Sequence, residues 1–364
     1  MRKDWEYKKW ADVLTIINGK NQKAVESIDG TYPIYGSGGI MGYANDWLCP
    51  ENCTIIGRKG NINKPIFVES KFWNVDTAFG LNSNQNLLAS KYLYYFCLNY
   101  DFNRHNKAVT IPSLTKVDLL KIEMPLPPKP TQLAIVAELD KINELIQLKK
   151  EQLKDYDQLA QSIFYEMFGD PVENEKGWEV KKLREIALEK MSYGSGASAV
   201  PYNQKIRYIR ITDIDELGCL KKDIVSPNIC EDKYLLSDGD ILFARSGATV
   251  GKTFLFKSTY GSCIYAGYLI RLRPNTQIVI PEYVYHYTKT HYYRSFIESN
   301  QRVVAQPNIN AQQYSSLKLP LPPLPLQQQF AARIEAIERQ KQQVSETIKD
   351  LETLLASRMQ YWFD

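Results

Sequence analysis

This chain repeats itself, and a duplicated sequence has to fold into a duplicated structure. Trp5-Glu6-Tyr7-Lys8-Lys9-Trp10 returns 173 positions later as Trp178-Glu179-Val180-Lys181-Lys182-Leu183. Pro125-Leu126-Pro127-Pro128-Lys129-Pro130-Thr131-Gln132 returns 195 positions later as Pro320-Leu321-Pro322-Pro323-Leu324-Pro325-Leu326-Gln327, and Ser162 to Phe168 matches Ser357 to Phe363 at that same offset. Between these anchors, Ile55-Ile56-Gly57-Arg58-Lys59-Gly60 lies opposite Leu242-Phe243-Ala244-Arg245-Ser246-Gly247, at offset 187. The offset grows only inside the globular part, so that is where the second copy has gained length. Each copy reads as a globular block, a proline-rich stop and a long segment ending in aromatics. The implied boundaries are 1–130, 131–170, 171–325 and 326–364.

The long segments read as helices. From Thr131 to Phe168 there is neither Pro nor an internal Gly. A heptad places Ile135, Ile142, Lys149, Tyr156 and Ile163 at one seam position and Leu139, Ile146, Leu153, Ala160 and Met167 at the other. The second copy keeps the register with Phe330, Ile337, Val344, Leu351 and Arg358, then Ile334, Lys341, Ile348, Leu355 and Trp362. At 1.5 Å per residue each helix is about 57 Å long, and the pair is expected to pack within the chain. Leu145, Leu148 and Leu159 widen the apolar face and leave surface for partners. The proline runs fix the helix starts, because Pro is tolerated only in the first turn. The globular blocks read as mixed and strand-rich. Short runs such as Cys53 to Ile56, Asp240 to Phe243 and Cys263 to Arg273 are bounded by Gly, Asn and Ser, with helices near Ser90 to Tyr100 and Pro281 to Ile297. The fold class is therefore α+β.

Composition narrows the function. With 44% apolar and 24% charged residues the chain is an ordinary globular one. Its charged start and the lack of an 18-residue apolar run argue against secretion and membrane spanning, and six scattered cysteines argue for reduced thiols, which together point to the cytosol. The net charge of +4 divides along the four segments as +4, −4, +5 and −1, so each globular block is basic. Three histidines and no zinc-like cysteine spacing exclude most metal and triad layouts. Ser246 to Thr253 ends in Gly-Lys-Thr like a phosphate loop. However, Ser246 stands where the first glycine belongs, a strand-like run follows instead of a helix, and the first copy has Asn63-Lys64-Pro65 there. Neither a base-methylation motif nor an S-adenosylmethionine loop is found.

Binding equipment remains. Arg58, Lys59, Lys64, Arg245, Ser246 and Lys252 sit on a Gly-rich turn shared by both copies. Arg104, His105 and Lys107 in the first block, and Arg294, Gln301 and Arg302 in the second, combine cations with amides. Guanidinium and amide groups can read base edges, while lysine neutralises phosphate. Tyr35 and Ser37 lie in one flexible aromatic loop, Ser195 follows Tyr193 in another, and Arg207 and Arg210 complete the candidates.

Two variable blocks, each followed by a Pro-rich stop and a repeated long helix, resemble the specificity subunit of type I restriction-modification systems across the whole chain. Tyr32-Pro33-Ile34-Tyr35-Gly36-Ser37-Gly38-Gly39-Ile40, Val75-Asp76-Thr77-Ala78, Gly239-Asp240-Ile241-Leu242 and the run from Arg245 to Lys252 are similar to that family. The resemblance implies a non-catalytic subunit with two target recognition domains, which read the halves of a bipartite site on double-stranded DNA. It implies antiparallel repeat helices that separate the domains and dock two methyltransferase subunits about a pseudo-twofold. Those partners would use S-adenosylmethionine, and motor-nuclease subunits would use ATP and Mg²⁺, so this chain itself would hold no cofactor. A spacer of about 57 Å corresponds to roughly 17 base pairs. The unequal copies imply unlike half-sites. A stand-alone DNA-binding or anti-restriction protein is the alternative.

Overall fold

The computed structural model describes residues 5–106, 111–215, 218–221, 223–301 and 308–364. The chain divides into two compact units, Met1–Glu151 with Ser345–Asp364, and Gln152–Val344.

In the first unit the strand Glu6–Lys9 pairs antiparallel with Glu123–Leu126, so the first and last strands of the block close it. A four-stranded sheet runs in the order Leu14–Asn18, Ala78–Ser83, Cys53–Gly57 and Ile66–Val68. Every residue of Cys53–Gly57 is buried, as a central β-branched strand covered on both faces should be. A smaller sheet joins the hairpin Tyr32–Gly36 and Gly39–Ala44 to Trp73–Asn74, the latter pairing parallel to the first hairpin strand. The helix Ser90–Asn99 then carries Tyr92, Leu93, Tyr95 and Phe96 into a core shared with Ile135, Leu139 and Phe363.

The second unit follows the same plan. Glu179–Lys182 pairs with Lys318–Leu321. The four-stranded order is Ser192–Tyr193, Leu269–Leu272, Ile241–Ala244 and Thr253–Leu255. Arg207–Ile209 pairs parallel with Cys263–Tyr265. The helix Pro281–Tyr287 packs Tyr283, Val284 and Tyr287 into a core with Phe164, Phe168 and Phe330.

The repeat also reaches individual hydrogen bonds. Gln132 and Gln327, from the two proline-run motifs, are both fully buried. Gln132 Oε1 accepts the Ala89 N–H at 2.8 Å while its Nε2 donates to the carbonyls of Leu87 and Pro127, each at 2.9 Å. Gln327 Oε1 accepts the Ile280 N–H at 2.8 Å and its Nε2 donates to the Pro322 carbonyl at 2.7 Å. Tyr92 and Tyr283 donate to the carbonyls of Pro125 and Pro320. A buried amide side chain thus satisfies backbone groups that the proline run and the helix start cannot satisfy themselves.

The long helices span Lys129–Phe168 and Leu324–Phe363, each beginning inside its proline run, where a first-turn Pro has no N–H to lose. In the first unit Glu138 bonds Arg358 and Trp362 while Lys150 meets Glu352, so the segments run antiparallel. In the second unit Lys341 meets Asp157 at 2.8 Å and Arg333 meets Glu166, again antiparallel. Of the expected seam, Ile135, Leu139, Ile142, Ile146, Phe330, Ile334, Ile337, Val344 and Ile348 are buried, and Leu153 and Leu351 are half-buried. Lys341 and Arg358, which break the apolar pattern of the second helix, form two of these pairs, with Asp157 and Glu138.

Candidate nucleic-acid interface

In each unit the topology gathers several loop ends at one edge. In the first, Tyr32–Gly36 runs parallel to Trp73–Asn74, and Gly57 lies opposite Ala78. The ends of both strands therefore flank the segment Val75–Thr77. Val75 N–H donates to the Tyr35 carbonyl at 3.0 Å, and the N–H groups of Arg58 and Lys59 both donate to the Thr77 carbonyl, at 2.8 and 3.2 Å. The turn is held from the other side by Leu114 N–H on the Arg58 carbonyl and Gly60 N–H on the Pro112 carbonyl. Asn63, beside Lys64, donates to Asp101 and accepts the Phe102 N–H, which ties the Arg104 turn to the same edge. Asn63 also holds the Asp101 carboxyl below its usual range, with the Asn103 backbone N–H second.

The side chains at this edge differ in what they are free to do. Arg58 is half-buried, and its guanidinium lies 5.7 Å from the Phe79 ring centroid. Lys59, Lys64 and Arg104 are exposed, and Arg104 stands over the Tyr100 ring. His105 stacks on Tyr100 and shares a 2.6 Å hydrogen bond with its hydroxyl. Tyr35 is half-buried against Phe72, and burial, followed by the nearby Tyr43, raises its phenol. Ser37 sits in the hairpin turn, beside Gly38 and Gly39, which have open space around them, and ahead of the exposed Ile40 and Met41. Lys107 lies outside the described residues.

The second unit builds the corresponding edge. Ala266 N–H donates to the Ile209 carbonyl, Arg245 N–H to the Tyr268 carbonyl at 3.1 Å, and Ile309 N–H to the Arg245 carbonyl at 2.9 Å. The Arg245 guanidinium lies 4.8 Å over the Tyr193 ring, and its Nε donates to Asn308 Oδ1 at 3.3 Å. Tyr193 is itself held by Ala311 N–H on its hydroxyl, and Ser246 forms a bridge with Asn308. The helix His291–Gln301 is brought to Gly251 and Lys252 by the Tyr293 hydroxyl, which donates to the Gly251 carbonyl, leaving Arg294 exposed and Gln301 half-buried. After Lys252 comes the strand Thr253–Leu255, where a phosphate loop would need a helix. Arg302 lies outside the described residues.

Three of the expected contact residues have partners inside the domain. Ser195 is buried, and its hydroxyl accepts the Ala197 N–H. Arg210 donates from Nε and Nη2 to the buried Asp213 at 3.0 and 2.7 Å, which raises its pKa further. Arg207 donates to the Lys221 carbonyl at 2.7 Å. Ser195 lies beside Ala266, at the end of the strand Cys263–Tyr265 that pairs parallel with Arg207–Ile209, a non-local arrangement that a Gly-Ser-Gly run or a lone arginine does not reveal. Sequence reasoning missed Asn308 and Tyr268, for which a single Asn and Tyr give no pattern.

Twin strand-rich units, each presenting a pinned cationic turn beside open loops and each bound to a segment of paired helix, define a duplicated polyanion-binding scaffold. The model of the type I restriction modification DNA specificity domain matches residues 2–155 and 175–353, and the chain belongs to that family. It is similar to the type I restriction enzyme MjaVIII specificity subunit of Methanocaldococcus jannaschii, 23% identical over 97% of this chain and 92% of the relative. It also resembles the MjaIX specificity subunit of that organism, 28% identical over 45% of this chain and 43% of the relative. Among solved structures, the S subunit of a type I restriction-modification system from M. genitalium shares the fold with a TM-score of 0.59 at 15% identity, covering 100% of this chain and 98% of that one. A chain from a study of complex assembly and conformational transition in the type I system has a TM-score of 0.57 at 16% identity, covering 99% and 97%.

Proposed function

We propose that this chain is the non-catalytic recognition subunit of a cytoplasmic type I restriction-modification enzyme, binding a bipartite, asymmetric site on double-stranded DNA. The observation that carries the reading is the Arg-x-Gly turn, pinned by two equivalent backbone bonds at the arginine in each of two matching units. Arg58, Lys59, Lys64, Arg104, Arg245, Lys252 and Arg294 supply the cationic contacts. Unlike loops around the two turns support unlike half-sites. Exposed apolar residues along the long helices, Leu133, Leu148 and Leu159 on the first and Leu354 and Tyr361 on the second, support docking of two methyltransferase subunits, with motor-nuclease subunits joining them. S-adenosylmethionine, ATP and Mg²⁺ belong to those partners.

The test is methyl-adenine mapping of the host DNA with and without this gene. The expected result is one bipartite motif with a fixed gap that loses methylation on deletion. If every motif survives in a strain expressing the methyltransferase, the reading fails and the chain is a stand-alone binder.

A further inference from the structure

Two units that read different sequences should differ where they touch bases and agree where they touch the backbone, because phosphates are the same at every step of the duplex. We infer that Arg58 and Arg245 are phosphate anchors that hold DNA irrespective of its sequence, and that base reading falls to the loops the two units do not share. The inference rests on the recognition reading above and assigns a chemistry to its central turn.

The two arginines occupy one structural position. Each ends a buried strand, each N–H donates across to the neighbouring segment (Thr77 or Tyr268), and each carbonyl accepts an N–H from the returning chain (Leu114 or Ile309, both at 2.9 Å). Two residues on, Gly60 and Gly247 have φ of +77° and +67°, a region that disfavours other residues. A Cβ on either would meet nothing within 4 Å, so the turn is open to a close approach.

The posture of the guanidinium has been kept while its support has changed. Phe79 underlies Arg58 from the strand Ala78–Ser83. The residue at the matching register in the second unit is Ile270, opposite Phe243 as Phe79 is opposite Ile56. The ring beneath Arg245 is instead Tyr193, from a different strand. Retaining an aromatic rest by a second route points to a function in the cation it holds. Arg210, Arg271, Arg273 and Arg358 are closed by carboxylates, whereas among the described residues neither Arg58 nor Arg245 has an acidic partner.

The surroundings diverge as readers should. From Gly36 to Arg58 the chain runs 22 positions, but from the structurally matching Arg210 to Arg245 it runs 35. The first stretch gives a hairpin tip with Ile40 and Met41 exposed, and the second gives the Arg210–Asp213 pair and a bridge between Ile214 and Leu220.

The experiment uses the full chain assembled with its methyltransferase subunit. Binding is measured for the mapped duplex and for a panel of single-base-pair variants, over 50 to 200 mM salt. Arg58→Ala and Arg245→Ala should each weaken every duplex by a common factor, leaving the ratios between duplexes unchanged. Each should flatten the log–log salt slope by about 0.9, so that over this range the variant loses about 3.5-fold less affinity than the parent. Arg→Lys should restore most of the binding, since a phosphate needs charge more than a planar fork, and this also controls for folding. Loss of discrimination at one base pair, failure of lysine to restore binding, or unchanged affinity would overturn the assignment. A parent complex with no preference for the mapped duplex overturns the recognition reading instead, and the slope on non-specific duplex still tests the anchors.

Discussion

Replacing Gln132 by Leu tests whether the repeated proline-run motif is a structural clasp. Leucine matches the side chain in size, so no large cavity opens and the cost is that of the hydrogen bonds. Three are lost, leaving the Ala89 N–H and the Pro127 carbonyl without this partner in a buried site and the Leu87 carbonyl in a part-buried one that water can reach. At about 1–3 kcal/mol for each of the two buried groups, with the carbonyl toward the low end and little from the part-buried one, the first unit should lose about 2–5 kcal/mol. That is a large part of the roughly 5–15 kcal/mol expected of a domain. Gln327→Leu loses two such bonds and should cost the second unit about 2–4 kcal/mol. Gln132→Glu separates the roles, because it keeps the acceptor for Ala89 but sets a carboxylate against two carbonyls. Denaturant unfolding gives the magnitudes, and hydrogen exchange at Ala89 and Ile280 locates them. A Gln132→Leu cost under about 1 kcal/mol, with the Ala89 N–H still protected, would refute the clasp.

Other perturbations follow from the same geometry. Leu139→Asp and Ile334→Asp each put a carboxylate at a buried seam position, and should abolish methylation at every target; normal methylation would show that the seam is not the scaffold. Phe363→Ala, which removes a ring packed on Tyr92 and Phe96, should cost the first unit about 3–5 kcal/mol by denaturation, and Phe168→Ala, packed on Tyr283 and Phe330, a similar amount in the second. Burial, aided by Lys289 and Lys341, holds the His286 imidazole down at about 3. The unfolded chain then binds a proton the folded one refuses, so stability should fall as pH drops from about 6.5 toward 3. Burial lowers Lys289 to about 8, so the same unit should gain stability as pH rises from about 8 to about 10.5. In His286→Phe the acid slope should shrink by on the order of a few kcal/mol across that window, and an unchanged pH–stability curve would count against this account.

What could be read from the sequence was what is periodic or repeated. The seam is a local pattern with a fixed period, so Ile135, Leu139, Phe330 and Ile334 followed from spacing alone. Two of its exceptions, Lys341 and Arg358, made sense only once Asp157 and Glu138 were seen opposite, across more than 180 residues of chain. Gln132 and Gln327 stood in plain view in the matched motifs, yet their role depends on partners more than 40 residues upstream. The shared turn was legible for a different reason: Arg58 and Arg245 stayed aligned while neighbouring segments changed length. Ser195 is buried beside Ala266 and Arg210 is held by Asp213, and neither partnership leaves a mark in the local sequence from which both were read as contacts. The same physics explains why a target sequence does not follow from the fold. The bonds that hold the turn are between backbone groups and tolerate many side chains, whereas loop tips beside it, such as Gly38 with the exposed Ile40 and Met41, stand clear of the core and are free to vary. A scaffold built this way can exchange one recognition surface for another without unfolding, provided that the buried glutamine, the closing strand pair and the helix seam are left intact.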